Sequence, residues 1–370
     1  MKSKIHLWIC LSFLFLGCSN DDNNSETGNS VFPASFTVIG EDQSQVYQFT
    51  SQNGSQMGSS SSLTEQLGVP SNYLTIRQND EYLSFYTFSE DSFSLFRWNV
   101  DQSVGETFDS FYTVSTQRSI AWGIDLDDVV LFGYFGPFTA RNLFLQRVDL
   151  VEDSLRDIPI EDNVMLSFQP LLHNQKLYLS FRDMQGNNKL VLYDEANDRL
   201  SQVLDFGTAP FSFLVAENDE IAVIQNLPSP TMGFYNGEDL TLIEEVALQR
   251  NFPLEMGPIQ NASIFENRFY YNFVYPQPAI LPEGPAVYDL QTGEHGLIDL
   301  AGILSEVETE VGQNIEVTTQ RFDEVSRVFL VGFAATSSNT ISGGVVQISE
   351  DGTRFEIFEF PFFPTYFVRN

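Results

Sequence analysis

Past its first thirty residues this sequence has two histidines and no cysteine, so its inventory for acid–base, thiol or metal chemistry is small. His173 lies in the turn of LLHNQK and His295 in TGEHG, in separate stretches, and each reads as a solvent-exposed turn imidazole without a catalytic partner. No HExxH, CxxC or GxSxG occurs. Zinc hydrolysis, dithiol chemistry and a serine elbow therefore have no support, no catalytic residue is assigned, and no cofactor is implied. Calcium needs six to eight oxygens, usually from alternating acidic positions that end in Glu. Asp125, Asp127 and Asp128 in IDLDD come nearest and do not complete such a loop, so they read as turn formers and no metal is expected. The sequence holds 34 Phe, 14 Tyr and 3 Trp, and most of these rings fall in apolar runs. Tyr134, Phe135 and Phe138 in YFGPF, Tyr275 before Pro276, and the run Phe360 to Phe363 are expected in loops. A loop ring can stack on a sugar or contact a protein, so Tyr134, Phe135, Phe138 and Tyr275 are the candidate ligand-binding residues.

The elements that must position these residues repeat. In FSFLVAENDEIAVIQ, Phe211 to Gln225, two short apolar runs flank an Asn-Asp turn, which is the pattern of a β-hairpin. The pattern returns at Tyr73 to Tyr86, Met165 to Phe181 and Ala262 to Phe273, and more loosely at Ser119 to Tyr134 and Val317 to Phe333. A third run then ends in an aromatic or aliphatic residue followed by a short polar one: Trp98-Asn99, Val148-Asp149, Tyr193-Asp194, Tyr235-Asn236, Tyr288-Asp289 and Ile348-Ser349. A turn leads from it to a fourth run. Four short strands recurring about every 40 to 50 residues mark propeller blades. Six such units begin near Asn72, Arg118, Val164, Phe211, Ile259 and Ile315, and the last step is lengthened by LAGILSEVETEV, Leu300 to Val311, whose apolar residues share a helical face.

The two ends complete the count. Strands are expected at Ser35 to Gly40, at Gln45 to Thr50 and within Leu63 to Leu67, with Ser51 to Ser62 as a loop, and the C-terminal strand Thr365 to Val368 lacks a successor. Joined in one blade they close the ring and remove its exposed edges. The fold class expected is all-β, a seven-bladed β-propeller with the terminal strands sharing one blade; six or eight blades stay open. The strand, turn, strand and Tyr-Asp order over residues 35–370 resembles Kelch-like and TolB-like propeller repeats.

At the N-terminus, Lys2 and Lys4, the apolar run Ile5 to Leu16 and Gly17 before Cys18 have the three parts of a secretory signal, too short to span a membrane. Phe15-Leu16-Gly17-Cys18 resembles a bacterial lipobox, in which the cysteine is acylated by palmitate-type chains and becomes the first mature residue. The divisions expected are a signal peptide at 1–17, a flexible acidic tether at 18–34 and one propeller at 35–370. Asp21 and Asp22 behind the cysteine resemble the surface-export signal of Bacteroidota lipoproteins, which implies an outer-membrane protein facing outward. The formal charge of −32, from 50 acidic against 18 basic residues, excludes nucleic acid and anionic lipid headgroups as partners. The membrane is then reached through the lipid on Cys18 alone. Two functions follow: a non-catalytic binding or scaffold module for an outer-membrane protein complex or a glycan, or an extracellular polysaccharide-active hydrolase or lyase with its site at the central channel.

Overall fold

A computed structural model of the chain describes residues 33–51, 58–137, 140–336 and 341–369. They form seven antiparallel sheets arranged as a β-propeller. Six blades follow in chain order over residues 75–113, 119–161, 164–205, 211–247, 263–297 and 315–360, numbered here 1 to 6. Blade 7 takes its outer three strands from the N-terminal side, Thr37–Glu41, Val46–Ser51 and Gly58–Ser62, and its innermost strand, Phe363–Phe367, from the other end. The closing pair runs antiparallel with Val38 opposite Phe367 and Glu41 opposite Phe363. At Gly40 the chains approach so closely that a Cβ would sit 2.3 Å from the Phe362 ring.

Seven hydrophobic clusters, one between each pair of adjacent blades, form the core of the described residues. Alternate side chains of a strand point to opposite sheet faces. In the second strand of blade 4, Ile221 and Val223 therefore pack against blade 3, while Ala222 and Ile224 pack against blade 5. Burial on both faces explains why these strands read as unbroken apolar runs rather than as alternating ones. The fourth strands are the exposed ones: Val104–Thr113 and Leu242–Ala247 are mostly open to solvent.

The recurring polar residues have two local jobs. Turns between first and second strands place Asp80, Asp127, Asn174, Asn218, Glu266 and Arg327 at positive φ, a conformation that short polar side chains tolerate best. At the end of each third strand the polar residue accepts backbone N–H groups of the next turn. Asn99 Oδ1 takes Gln102 N at 2.8 Å, Asp149 takes Glu152 N at 2.8 Å, Asp194 takes Asn197 N at 3.0 Å and Asp289 takes Thr292 N at 2.7 Å. Those N–H groups hold the Asp149 and Asp289 carboxyls below the usual range.

Two expectations near the N-terminus are corrected. Gly58–Ser62, assigned to a loop for its serines, pairs with Val46–Ser51 as the outer strand, because that ladder is made by backbone groups. Leu63–Leu67, assigned to a strand, is one helical turn. Ser62 accepts Glu65 N at 3.1 Å and Gly68 closes the turn at φ 82°, an N-cap and left-handed C-cap that the S-x-x-E spacing encodes. The second helix, Leu300–Val311, lies as its pattern requires, with Leu300, Ile303, Leu304 and Val307 buried against blade 6. No helix of the described residues is long and apolar enough to cross a membrane.

Candidate functional site

The described residues singled out by sequence do not gather in one place. Cys18 and Phe138, with the signal segment and nearly all of the tether, lie outside the described residues. Tyr134 and Phe135 are not on a loop: they end the second strand of blade 2, where Tyr134 is buried and stacks on Phe144 at 5.4 Å. Phe135 packs into the cluster between blades 2 and 3. Phe360, at the end of the fourth strand of blade 6, and Phe362, in the link to the closing strand, are buried and stack at 5.1 Å between blades 6 and 7. Tyr275 does remain on a loop, lining a pocket of about 330 Å³ with Ile280, Leu281 and Leu297. Asp125 is buried and engaged by Arg97 Nε at 3.2 Å, Ser84 Oγ at 2.6 Å and Tyr86 Oη at 3.0 Å.

Neither histidine is a free turn imidazole. His173 Nε2 lies 2.8 Å from Asp219 Oδ1 across the boundary of blades 3 and 4, a bond that helps hold the Asp219 carboxyl below its usual range. His295 is on the fourth strand of blade 5, half-buried, with Tyr271 Oη 2.7 Å from Nε2 and the Arg250 guanidinium on Nδ1. A guanidinium only donates, so Nδ1 accepts, and the proton of the neutral ring is on Nε2, donated to Tyr271. Burial, and then the Arg250 charge, depress the His295 pKa below its ordinary 6.5. The neutral ring thus stabilises the fold above pH 6.5, and that contribution is lost as pH falls through the depressed folded-state value. A carbon-detected titration of the His295 ring is expected to show its midpoint below 6.5; a midpoint at or above it would contradict this arrangement.

What the structure does assemble is a cleft at the channel. The connection from blade 4 to blade 5 is long and turns back inward, so that Gly257–Pro258 adds a short parallel strand beside Ser212 and Phe213 of the first strand of blade 4. This strap is pinned at several points. The Asn226 carboxamide brackets the Phe252 backbone at 2.7 and 3.0 Å, Ser212 Oγ donates to the Glu255 carbonyl, and Ile259 N donates to Phe213 O at 2.8 Å. Phe252 is buried edge-on against Phe269, Tyr271 and Tyr288. Gly257, at φ 112°, takes a conformation closed to side chains.

Between strap, blade 3 and blade 5 lies a cavity of about 800 Å³, reached by Ser167, Phe168 and Gln169 where the first strand of blade 3 breaks in two. A second of about 670 Å³ shares Asn261, Asn272 and Glu283 with it and continues to the helix Leu300–Val311 and the first strand of blade 6. The combined walls carry Glu255, Glu283, Glu308 and Glu316, and no Lys, Arg or His. Burial in the wall, and then the charge of Glu255, raise the Glu283 carboxyl above its usual range. Gln320 is 2% exposed; its Oε1 has no hydrogen-bond partner, while its amide group is near enough to the Glu283 carboxyl to lower it in part. Ser167 Oγ accepts the Trp122 indole N–H at 3.0 Å, so with Ser212 bonded to a carbonyl neither serine is paired with a base. Beyond the strap, Ile259 and Gln260 also line a smaller cavity of about 290 Å³ with Arg321, Glu324 and Arg369.

Solved structures match this chain in fold. The crystal structure of puromycin hydrolase superposes with a TM-score of 0.51 at 12% identity, over 88% of this chain and 54% of that one. The chain thus spans about half the length of that protein. The crystal structure of TolB from Acinetobacter baumannii gives a TM-score of 0.41 at 9% identity over 90% and 80% of the two chains. The β-propeller domain of the Trilobed protease from Pyrococcus furiosus gives 0.45 at 10% identity over 87% and 92%. No family model matches the sequence, and no curated protein matches it.

Proposed function

We propose that this chain is a Bacteroidota-type lipoprotein, anchored in the outer membrane by acylated Cys18 and facing outward, whose Kelch-like propeller is a non-catalytic binding module. Its ligand, a glycan or part of a protein complex, enters the cleft between the strap and blades 3, 5 and 6. The observation that carries this reading is Gln320, a buried carboxamide whose Oε1 has no hydrogen-bond partner, in the wall of a cleft about 670 Å³ in volume. A buried amide oxygen without a partner is costly unless something supplies one, and a concave, partly apolar cavity of this size is where ligands are held. The lipobox-like FLGC and the acidic Ser19 to Ser30 stretch support the anchor.

The test is retention of a partner on purification from detergent-solubilised membranes. Asn261 is exposed and lines both cavities, so Asn261→Trp fills the cleft with little consequence for the core. The wild type is expected to carry its protein or glycan in stoichiometric amount and the variant to lose it; undiminished retention by the variant would place the ligand elsewhere. Mass spectrometry of the mature amino terminus reads the acylation of Cys18 directly.

One observation favours the alternative of a polysaccharide-active enzyme, namely a raised Glu283 carboxyl under the influence of a second carboxylate, Glu255. Turnover of an extracellular polysaccharide that disappears in Glu283→Gln would select that reading.

A further inference from the structure

The acids of the cleft stand in walls that carry no basic side chain. Elsewhere several basic side chains are matched to carboxylates: Arg97 to Glu106 and Asp125, Arg147 to Asp149 and Glu195, Arg327 to Glu266 and Glu350. None of Glu255, Glu283, Glu308 or Glu316 has an ion-pair partner among the described residues. The walls are otherwise uncharged: apolar residues such as Phe168, Phe252, Leu254 and Val274, the carboxamides of Asn272 and Gln320, and a few hydroxyls.

We propose that the cleft takes a cationic ligand, an ammonium or guanidinium group on an apolar body, with the charge seated between Glu255 and Glu283 and an N–H donated to the Gln320 amide oxygen. This rests on the reading of the cleft as the binding site. An anion has no basic side chain to meet in either cavity. A bare metal ion is not served either, since no group of three His, Cys, Asp or Glu gathers in metal-binding geometry among the described residues. An organic cation uses every feature: unpaired carboxylates for the charge, the orphaned Gln320 oxygen for a directed hydrogen bond, and aromatic and aliphatic walls for the body. The formal charge of −32 draws cations to the surface from a distance.

The pH dependence follows from the same residues. The groups that act on the Glu283 carboxyl are Glu255 on the strap, which raises it, and the Gln320 carboxamide on the first strand of blade 6, which lowers it; Glu308, Glu316 and Tyr271 line the same cavities. Carboxylates dominate that set, and the Glu283 carboxyl is raised, so it takes up a proton earlier than an isolated glutamate as the solution is acidified. A proton there competes with the ligand's charge. Affinity should fall on acidification, with proton release on binding.

The experiment is calorimetric titration of the full mature chain in detergent with N-acetyl-phenylalanyl-arginine amide and with its neutral isostere, N-acetyl-phenylalanyl-citrulline amide. The arginine peptide is expected to bind about tenfold more tightly or better, equivalent to the gain of one well-placed charge contact. Glu255→Gln with Glu283→Gln should remove that preference without moving the melting temperature. Gln320→Leu separates binding from structure: relief of an unpartnered buried amide oxygen keeps or raises the melting temperature, while the lost acceptor weakens the arginine peptide. Benzylamine distinguishes the source, since binding of both benzylamine and the peptide indicates a small free amine and binding of the peptide alone indicates a basic side chain. Equal binding of the two peptides, no heat from either, or indifference to the double glutamine substitution would overturn the cationic assignment. Loss of the native partner in Asn261→Trp but not in the double glutamine variant would reject the cation and keep the cleft; retention in Asn261→Trp would reject the cleft itself.

Discussion

Truncation after Phe362 is expected to lower the melting temperature by about 10 °C and to make the protein aggregate. The lost segment is the innermost strand of blade 7 and one of the two ladder partners of Thr37–Glu41. With it go the buried side chains of Phe367 and Val368, each contributing roughly 1.5–3 kcal/mol by burial. Also lost are Val368 N to Thr37 O at 3.0 Å, Arg321 Nη1 to Val368 O at 2.7 Å, and the bonds from Tyr366 and Arg369 to Gln78 at 3.1 and 2.8 Å. A loss of about 3–6 kcal/mol is a large share of a total that is commonly about 5–15 kcal/mol. At roughly 2–4 °C per kcal/mol for domains somewhat smaller than this one, the shift of about 10 °C follows. The freed edge of Thr37–Glu41 is then available to another chain, which is the physical source of the aggregation. A synthetic peptide covering residues 363–370 should restore part of the lost melting temperature. An unchanged midpoint in the truncated chain would mean that ring closure contributes little.

The closure was legible because two unsatisfied ends predicted each other, and the blades because their physics is local. Each unit needs a turn at positive φ and an N–H acceptor at the end of its third strand, so Asp and Asn recur where Asp80, Asp127, Asn99, Asp149 and Asp289 stand. The serine strand Gly58–Ser62 was hidden because nothing in its side chains marks it. The helical turn Leu63–Leu67 was encoded in Ser62 and Glu65 and overlooked beneath the expectation of a strand.

The cleft was not legible for a different reason. Glu255, Glu283, Glu308 and Gln320 come from four elements and share no spacing, and only the circular arrangement of blades brings them to one cavity. The one available signal was length: the segment between Leu248 and Ala262 exceeds what a blade-to-blade link needs, and its Pro253, Gly257 and Pro258 shape the strap. Tyr134, expected on a loop, lies instead in a strand, where a blade buries both faces. Tyr275 is the exception, at a pocket beside the helix.

Replacing Asp125 by alanine is expected to destabilise the protein by about 3 kcal/mol, the lower end of the usual cost of removing one partner from a buried ion pair. Arg97 is 5% exposed and Asp125 2%, across the boundary of blades 1 and 2, so the orphaned guanidinium cannot turn to bulk water. Arg97 keeps a second partner, Glu106 at 2.9 Å, which holds the cost to that lower end. The Ser84 and Tyr86 hydroxyls, 2.6 and 3.0 Å from the carboxylate, lose their acceptor as well. The pair itself need not be a large net source of stability, because desolvating both charges offsets much of their attraction. Replacing both partners with apolar residues, Arg97→Met with Asp125→Leu, should therefore cost less than Asp125→Ala alone, with strong non-additivity in the double-mutant cycle. Denaturant unfolding of the three proteins measures it. If Asp125→Ala unfolds at the wild-type midpoint, the clamp between blades 1 and 2 is made by Tyr86, Phe132 and the rest of their apolar interface, and the carboxylate is incidental to it.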